Sequence, residues 1–433
     1  KERARNASSV ETDDWIVLQE GETEFSGYDS LSSETHILRY RKVKQKNSEF
    51  YQIVLSKTPF YAEMGGQTGD SGVLISDSER INIFDTKKEN SLSVHLVAKL
   101  PENLSAKFIA EVDAEKRKAA ECNHTATHLL HAALRKILGT HVEQKGSYVS
   151  ADVLRFDFSH FQKPDSQELR EVEKLVNRSI RENLPLCEYR NLPINEAKAM
   201  GAMALFGEKY GNSVRVVKFG ESVELCGGTH VAHTGNIGSF RIISEGSVAA
   251  GIRRIEAVTA ENCEKHLYIQ QDIMLEIRDM FNNVPNITQT LQKFFAENQE
   301  LKKTIDDFKK EKLAQMKTEL ARQIKNIRNI NLLVLNMNIH TEIIKDIAFQ
   351  FRGEYTEKFV FAAGNIEKNK PNITLMLSDD MVKNGYDAAK IIRSAAKHIQ
   401  GGGGGQPHFA SAGGKNPDGL IAAIDEIRNV FTM

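Results

Sequence analysis

His124 and His128 lie four residues apart in a stretch with helical periodicity. At about 3.6 residues per turn they share one face, so two imidazoles can reach a single ion. Far downstream, Cys226-Gly227-Gly228-Thr229-His230 offers a thiolate and a third imidazole. Its two glycines leave the backbone free to fold sharply and turn both side chains inward. Three nitrogens and one sulfur form a donor set suited to tetrahedral Zn²⁺, at about 2.0–2.3 Å. A His pair at helical spacing is a weak signal by itself; Cys-x-x-x-His between strands strengthens it. Four protein donors usually describe a closed structural site, whereas a catalytic zinc keeps one position open. The donor set alone therefore does not define a hydrolase.

Other groups near the cluster have plainer readings. His131, three residues after His128, is an alternative donor but reads better as a helix-surface histidine. Cys122 reads as a core cysteine and His141 as a loop histidine, while Cys187 and Cys263 read as inert. There is no Ser–His–Asp arrangement and no obvious carboxylate base, which disfavours a covalent route.

The elements that must position these groups are legible from periodicity. Short β-branched and aromatic runs at 37–40, 50–55, 72–75 and 94–97 predict a strand-rich region over 1–110, a small β-barrel. From Asp113, Ala126, Leu129, Leu130, Ala133, Leu134, Ile137 and Leu138 recur at helical spacing, with Gly139 as the stop. A second helix over 167–183 and strands at 214–217 and 237–243 complete an α+β core over 111–262. Residues 263–330 are almost purely helical, with a break at 282–286. The near-heptad spacing of Leu291, Phe294, Leu301, Ile305 and Phe308 predicts a coiled-coil hairpin. Apolar strands at 332–335, 359–363 and 373–377 and a helix over 386–400 predict an α/β module over 331–433. That helix leads into a loop of five glycines, Gly401 to Gly405.

Length and composition fit this multidomain α+β layout. A chain of 433 residues with 40% hydrophobic and 27% charged residues holds two to four domains and enough apolar material for several cores. Lys and Arg number 57 against 58 Asp and Glu, which excludes a globally basic nucleic-acid coat but not a local patch. Four cysteines are too few for a disulfide scaffold, so a reducing, cytoplasmic setting is expected. No apolar run is long enough for a membrane span. The chain opens on Lys1-Glu2-Arg3-Ala4-Arg5, without a secretory signal or an initiator Met, and is expected to be a piece of something longer.

The run His124-Thr125-Ala126-Thr127-His128-Leu129-Leu130-His131, with Cys226-Gly227-Gly228-Thr229-His230, resembles the editing domain of alanyl-tRNA synthetases and their free-standing relatives. Thr58-Pro59-Phe60-Tyr61-Ala62-Glu63-Met64-Gly65-Gly66-Gln67 resembles the barrel that precedes it. Gln144-Lys145-Gly146-Ser147 and Arg253-Arg254-Ile255-Glu256-Ala257 fit as well, and the helical stretch and Gly-rich terminus resemble the family's C-terminal domain. Nothing resembles an ATP-binding, adenylate-forming domain. The resemblance implies the C-terminal part of such a synthetase. The aminoacylation domain, and the ATP it uses, would belong to a missing N-terminal region.

What the resemblance implies is hydrolysis of tRNA(Ala) wrongly carrying serine or glycine, through one zinc ion held by His124, His128, Cys226 and His230. The physical need is clear. An alanine pocket discriminates one methylene by only about 1–3 kcal/mol and cannot firmly reject an added hydroxyl. Thr127, about 60° around the helix from His124, is the candidate reader of the serine hydroxyl; the plainer reading is a helix Thr bonded back to a carbonyl. Gln144 and Gln67 are candidates to hydrogen-bond the substrate or the terminal adenosine, and either could be a turn residue. The family normally has Ser where this chain has Met64. The expected chemistry is metal-assisted attack of water on the ester.

Partners follow from local charge. Between 301 and 329, nine Lys and Arg face four acids, either a phosphate-tracking stripe or a solvated coiled-coil face. In the last module Lys390, Arg393 and Lys397 share one helix face, and Gly402, Gly403 and Gly404 could approach a sugar-phosphate backbone closely. The resemblance implies tRNA binding there and a possible homodimer through the C-terminal region, with no membrane partner. The family often has basic residues within this glycine run and an Arg in place of Gln406.

Overall fold

A computed structural model describes residues 10–45, 48–77, 79–204 and 211–433; the opening Lys1 to Arg5 lies outside them. The chain divides into two compact units, residues 1–277 and 278–433.

The first unit begins with an open sheet. Its main strands are β1 (Val10–Thr12), β2 (Ser32–Thr35), β3 (Ile37–Gln45), β4 (Ser48–Leu55), β5 (Gly72–Ile75), β6 (Arg80–Glu89), β7 (Leu92–Val97) and β8 (Phe108–Val112). They run in the order β1-β3-β4-β7-β6-β5-β8-β2, with Ile16–Val17 paired beside β3. The expected barrel is therefore not closed. Closure requires the first and last strands to pair, and the end strands, three and four residues long, do not pair with each other. Ile53, Leu55, Phe60, Leu74, Ile83 and Phe108 form its core.

Helix α1 (Ala114–Leu138) follows. Asp113 caps its first turn by accepting from Lys116 N, and Gly139 ends it at φ 116°, a conformation suited to glycine. From Cys122 to His131 every residue of α1 is buried, as befits a helix packed on more than one side. Around it stand β9 (Gln144–Val149), β10 (Leu154–Ser159), α2 (Ser166–Arg181), β11 (Cys187–Pro193), β12 (Ser213–Phe219), β13 (Ser222–Leu225), β14 (Phe240–Ala249) and β15 (Ile252–Thr259). The strands form two sheets, β9-β10-β15-β14 and β11-β12-β13. Leu130 and Leu134 of α1 pack with Phe156 and Phe158 of β10, Val176 of α2 and Val217 of β12 in one core.

Arg117 fastens α1 to the open sheet. Its Nε donates to Asp70 Oδ2 at 2.9 Å, and its two terminal nitrogens donate to the carbonyls of Gly27 and Pro59, each at 2.8 Å. Its side chain is essentially buried.

Helix α3 (Ala260–Met280) lies almost wholly in the first unit, and α4 (Ile287–Ala321) in the second. The second unit then builds a sheet in the order β16-β17-β18-β19-β21-β20 from β16 (Lys325–Ile327), β17 (Ile330–Asn336), β18 (Phe359–Glu367), β19 (Lys370–Leu377), β20 (Gly402–Gln406) and β21 (Phe409–Gly413). Strands β17 and β18 are parallel and joined by α5 (Thr341–Glu354). Alternate residues face opposite sides. Leu333, Phe359 and Phe361 meet Ile347 and Phe351 of α5. Val360, Ile373 and Leu375 meet Ile392 of α6 (Ala388–Ala395) and Ile427 of α7 (Leu420–Thr432).

The glycine run is not a loop. Gly402 to Gln406 form edge strand β20, paired antiparallel with β21. A Cβ on Gly403 would lie 2.3 Å from Ala412 Cβ and 2.5 Å from Ser411 O, so the pairing needs a bare backbone there.

Candidate metal centre

Helix α1 and the segment after β13 bring the two halves of the donor set together. One donor atom from each of His124, His128, Cys226 and His230 lies within 4.8 Å of all the others. Cys226 Sγ is 3.3 Å from His230 Nε2 and 3.5 Å from His124 Nε2. All three imidazoles are buried. Burial, reinforced by neighbouring imidazoles and Arg215, holds His124 and His230 well below the usual histidine range. They are therefore neutral near pH 7, the form in which imidazole binds a metal.

Polar groups behind the cluster fix the rings. His124 Nδ1 donates to Gln67 Oε1 at 2.7 Å, which leaves Nε2 with its lone pair toward Cys226. His230 Nδ1 meets Thr125 Oγ1 at 3.1 Å. His128 Nδ1 is buried with no hydrogen-bond partner among the described residues. A sulfur donor and three buried imidazoles within ligating reach of one another, two of them oriented by polar partners, fit a metal ion well.

The glycines of Cys226-Gly227-Gly228-Thr229-His230 act differently from expectation. Neither Gly227 nor Gly228 has positive φ. A Cβ on Gly228 would instead lie 2.0 Å from His124 Cε1 and 2.7 Å from Gln67 Oε1, so close approach is what demands glycine. The carbonyls of this segment are pinned. Tyr28 donates to Gly227 O at 2.6 Å, and Arg215 Nη1 donates to Cys226 O at 2.9 Å and to Gly228 O at 2.7 Å. The Arg215 guanidinium lies 4.1 Å from the centre of the Tyr28 ring.

A cavity of about 70 Å³ opens on the cluster, its wall including Tyr61, Met64, Thr127, Gln144 and Glu224. A larger one, about 230 Å³, lies between α1 and α2 among apolar side chains and surface ion pairs, away from the donors. The expected site residues fall as follows. Thr127 reaches the small cavity, while its hydroxyl donates to Asn123 O at 2.8 Å, the ordinary helical back-bond. Gln144 lines the cavity from β9. Gln67 is fully buried behind His124, where its Nε2 also donates to Thr229 Oγ1 at 2.9 Å. In the second unit Lys390, Arg393 and Lys397 are exposed, Lys397 just beyond the end of α6. Gly402, Gly403 and Gly404 lie in β20.

Two groups escaped the sequence reading. Glu224 is a buried carboxylate on the cavity wall, where none was expected. His131 is buried against it with Nδ1 3.0 Å from Glu224 Oε1, and is not a helix-surface residue. The only signal in the sequence was their proximity to the cluster, since a strand-end Glu and a helical His are common.

Family models match three parts of the chain. The second additional domain of threonyl and alanyl tRNA synthetases matches residues 214–256, which hold Cys226 and His230. The class II (A) tRNA synthetases match residues 1–116, and the DHHA1 domain matches residues 329–433. Two of the three matched models thus describe parts of tRNA synthetases. A protein named alanine–tRNA ligase from Parabacteroides distasonis is 58% identical over 99% of this chain and 49% of its own length. One from Cytophaga hutchinsonii is 45% identical over 100% of this chain and 50% of its own length. Over nearly its whole length the chain is similar to proteins named alanine–tRNA ligase, and it spans about half the length of the curated relatives it matches. The solved C-Ala domain of Aquifex aeolicus alanyl-tRNA synthetase is 24% identical, with TM-score 0.23, covering 25% of this chain and 98% of that one. No helix among the described residues is long and apolar enough to cross a membrane.

Proposed function

We propose that the first unit is an editing hydrolase that deacylates tRNA(Ala) mischarged with serine or glycine. The observation that carries this reading is the four-donor cluster opening on a cavity of about 70 Å³. That volume suits a small side chain. His124, His128, Cys226 and His230 would hold one Zn²⁺, which when bound supplies Lewis acidity toward the ester carbonyl. The chain's own groups would orient the substrate. Thr127 offers a hydroxyl oxygen with lone pairs left for the serine hydroxyl, and Gln144 offers an amide from the facing strand. Gln67 would act through His124, by holding its ring.

We infer a division into residues 1–110 as the open sheet, 111–262 as the editing core, 263–330 as a helical segment and 331–433 as the α/β module. That module would bind tRNA(Ala) through Lys390, Arg393 and Lys397 beside the bare backbone of Gly402, Gly403 and Gly404, and could carry a homodimer contact. Aminoacylation, with its ATP, would belong to the remainder of the longer protein.

A second reading has one observation in its favour. A set of four protein donors favours a structural zinc in a tRNA-binding or dimerisation fragment. Turnover of Ser-tRNA(Ala) by this chain separates the two. The editing reading expects deacylation that is lost, together with bound zinc, in Cys226→Ala. No turnover by the metal-loaded chain, or full turnover by a metal-free Cys226→Ala variant, would sink it.

A further inference from the structure

Glu224 lies near the end of β13, two residues before Cys226, and outside the four-donor group. It is only 2% exposed. Its Oε1 accepts from His131 Nδ1 at 3.0 Å, and its Oε2 lies 3.5 Å from His128 Nε2. An ionised carboxylate only accepts hydrogen bonds, so His131 Nδ1 donates to Glu224, whose other oxygen lies against the His128 ring. His128 Nδ1 is buried with no partner among the described residues.

We propose that Glu224, anchored by His131, is the positioning residue for His128. It holds the ring where one of its nitrogens can ligate a divalent transition-metal ion together with the other three donors. The inference rests on the metal-site reading above. It assigns a task to two buried polar residues that supply no donor themselves. His131 keeps the carboxylate in place, because a lone buried carboxylate would otherwise rotate toward whatever donor it could reach. Removing such an outer partner typically weakens metal affinity ten- to hundredfold.

Cobalt(II) titration of the full chain tests this without any activity assay, since a thiolate ligand gives a charge-transfer band and the ligand field sets the visible spectrum. Wild type should show the band. Glu224→Ala should bind cobalt ten- to hundredfold more weakly with an altered visible spectrum, and His131→Ala should shift both in the same direction. Should Glu224→Ala fail to fold by circular dichroism, Glu224→Gln keeps the shape without the charge and is expected to weaken binding about tenfold. Wild-type binding with a thiolate band, but unchanged affinity and spectrum in the folded variants, overturns this proposal alone. No thiolate band in wild type overturns the metal-site reading and this proposal with it.

Discussion

Gln67 Oε1 accepts a hydrogen bond from His124 Nδ1 at 2.7 Å and another from Thr229 N at 3.0 Å. One amide oxygen thus ties both sides of the donor cluster to a residue of the open-sheet region. Replacing Gln67 with Ala leaves the His124 ring free to change tautomer and to turn. Metal affinity is expected to fall ten- to hundredfold, as read by competition with a chromogenic chelator. Unchanged affinity in a folded Gln67→Ala variant would show that the ring is held by packing alone.

Asp70 and Arg117 form a buried ion pair in which the guanidinium also serves two backbone carbonyls. Replacing Asp70 with Ala strands that charge, and a broken buried pair costs roughly 3–5 kcal/mol. Denaturant unfolding of Asp70→Ala should show a loss of this order. A loss under about 1 kcal/mol, the level of a surface pair, would contradict the assignment.

Glu121 gives a pH dependence. Burial pushes its carboxyl up from 4.5 to about 7, against the pull of Arg117. With the folded pKa raised, the unfolded chain releases its proton first as pH climbs. The stability Glu121 contributes is therefore full below about 4.5 and lost as pH rises through about 7, on the order of 3 kcal/mol at most. Glu121→Gln removes this dependence. Its melting temperature relative to wild type should rise between pH 5 and pH 8; a constant difference would refute the burial argument.

Lys390, Arg393 and Lys397 are tested by salt. Each phosphate neutralised adds roughly 0.7–0.9 to the slope of log affinity against log salt. The triple alanine variant should lower the slope for tRNA(Ala) by roughly 2–3. An unchanged slope would remove this face from the interface.

Elements with strong periodicity were legible in the sequence. The α1 helix reads from Ala126 to Leu138 because its apolar residues recur at helical spacing, and Gly139 stops it as expected. The His124, His128, Cys226 and His230 set was also legible, since two imidazoles one turn apart carry their own geometry. Partners contributed from far along the chain were not. Gln67 looked like a substrate contact after two glycines, yet fold topology places it behind His124. Glu224 and His131 carry no local mark of their pairing, which depends on how β13 packs against α1. The glycine run misled for a related reason. Glycine usually signals a turn, but here Ala412 and Ser411 crowd the strand from the side, a tertiary constraint invisible in the run itself. Sheet closure was equally hidden, being decided by which end strands meet.

The contacts of Arg117 bear on how such a protein could be assembled from parts. Its one guanidinium reaches Gly27, Pro59 and Asp70, three separate points ahead of α1. A cut near residue 110 would therefore strand a buried cation on one piece and its counter-charge on the other. Grafting the later half onto an unrelated leader would fail unless the three acceptors travelled with it. The seam suggested by the change from strand to helix is thus a poor place for recombination, and the two segments are expected to be inherited together.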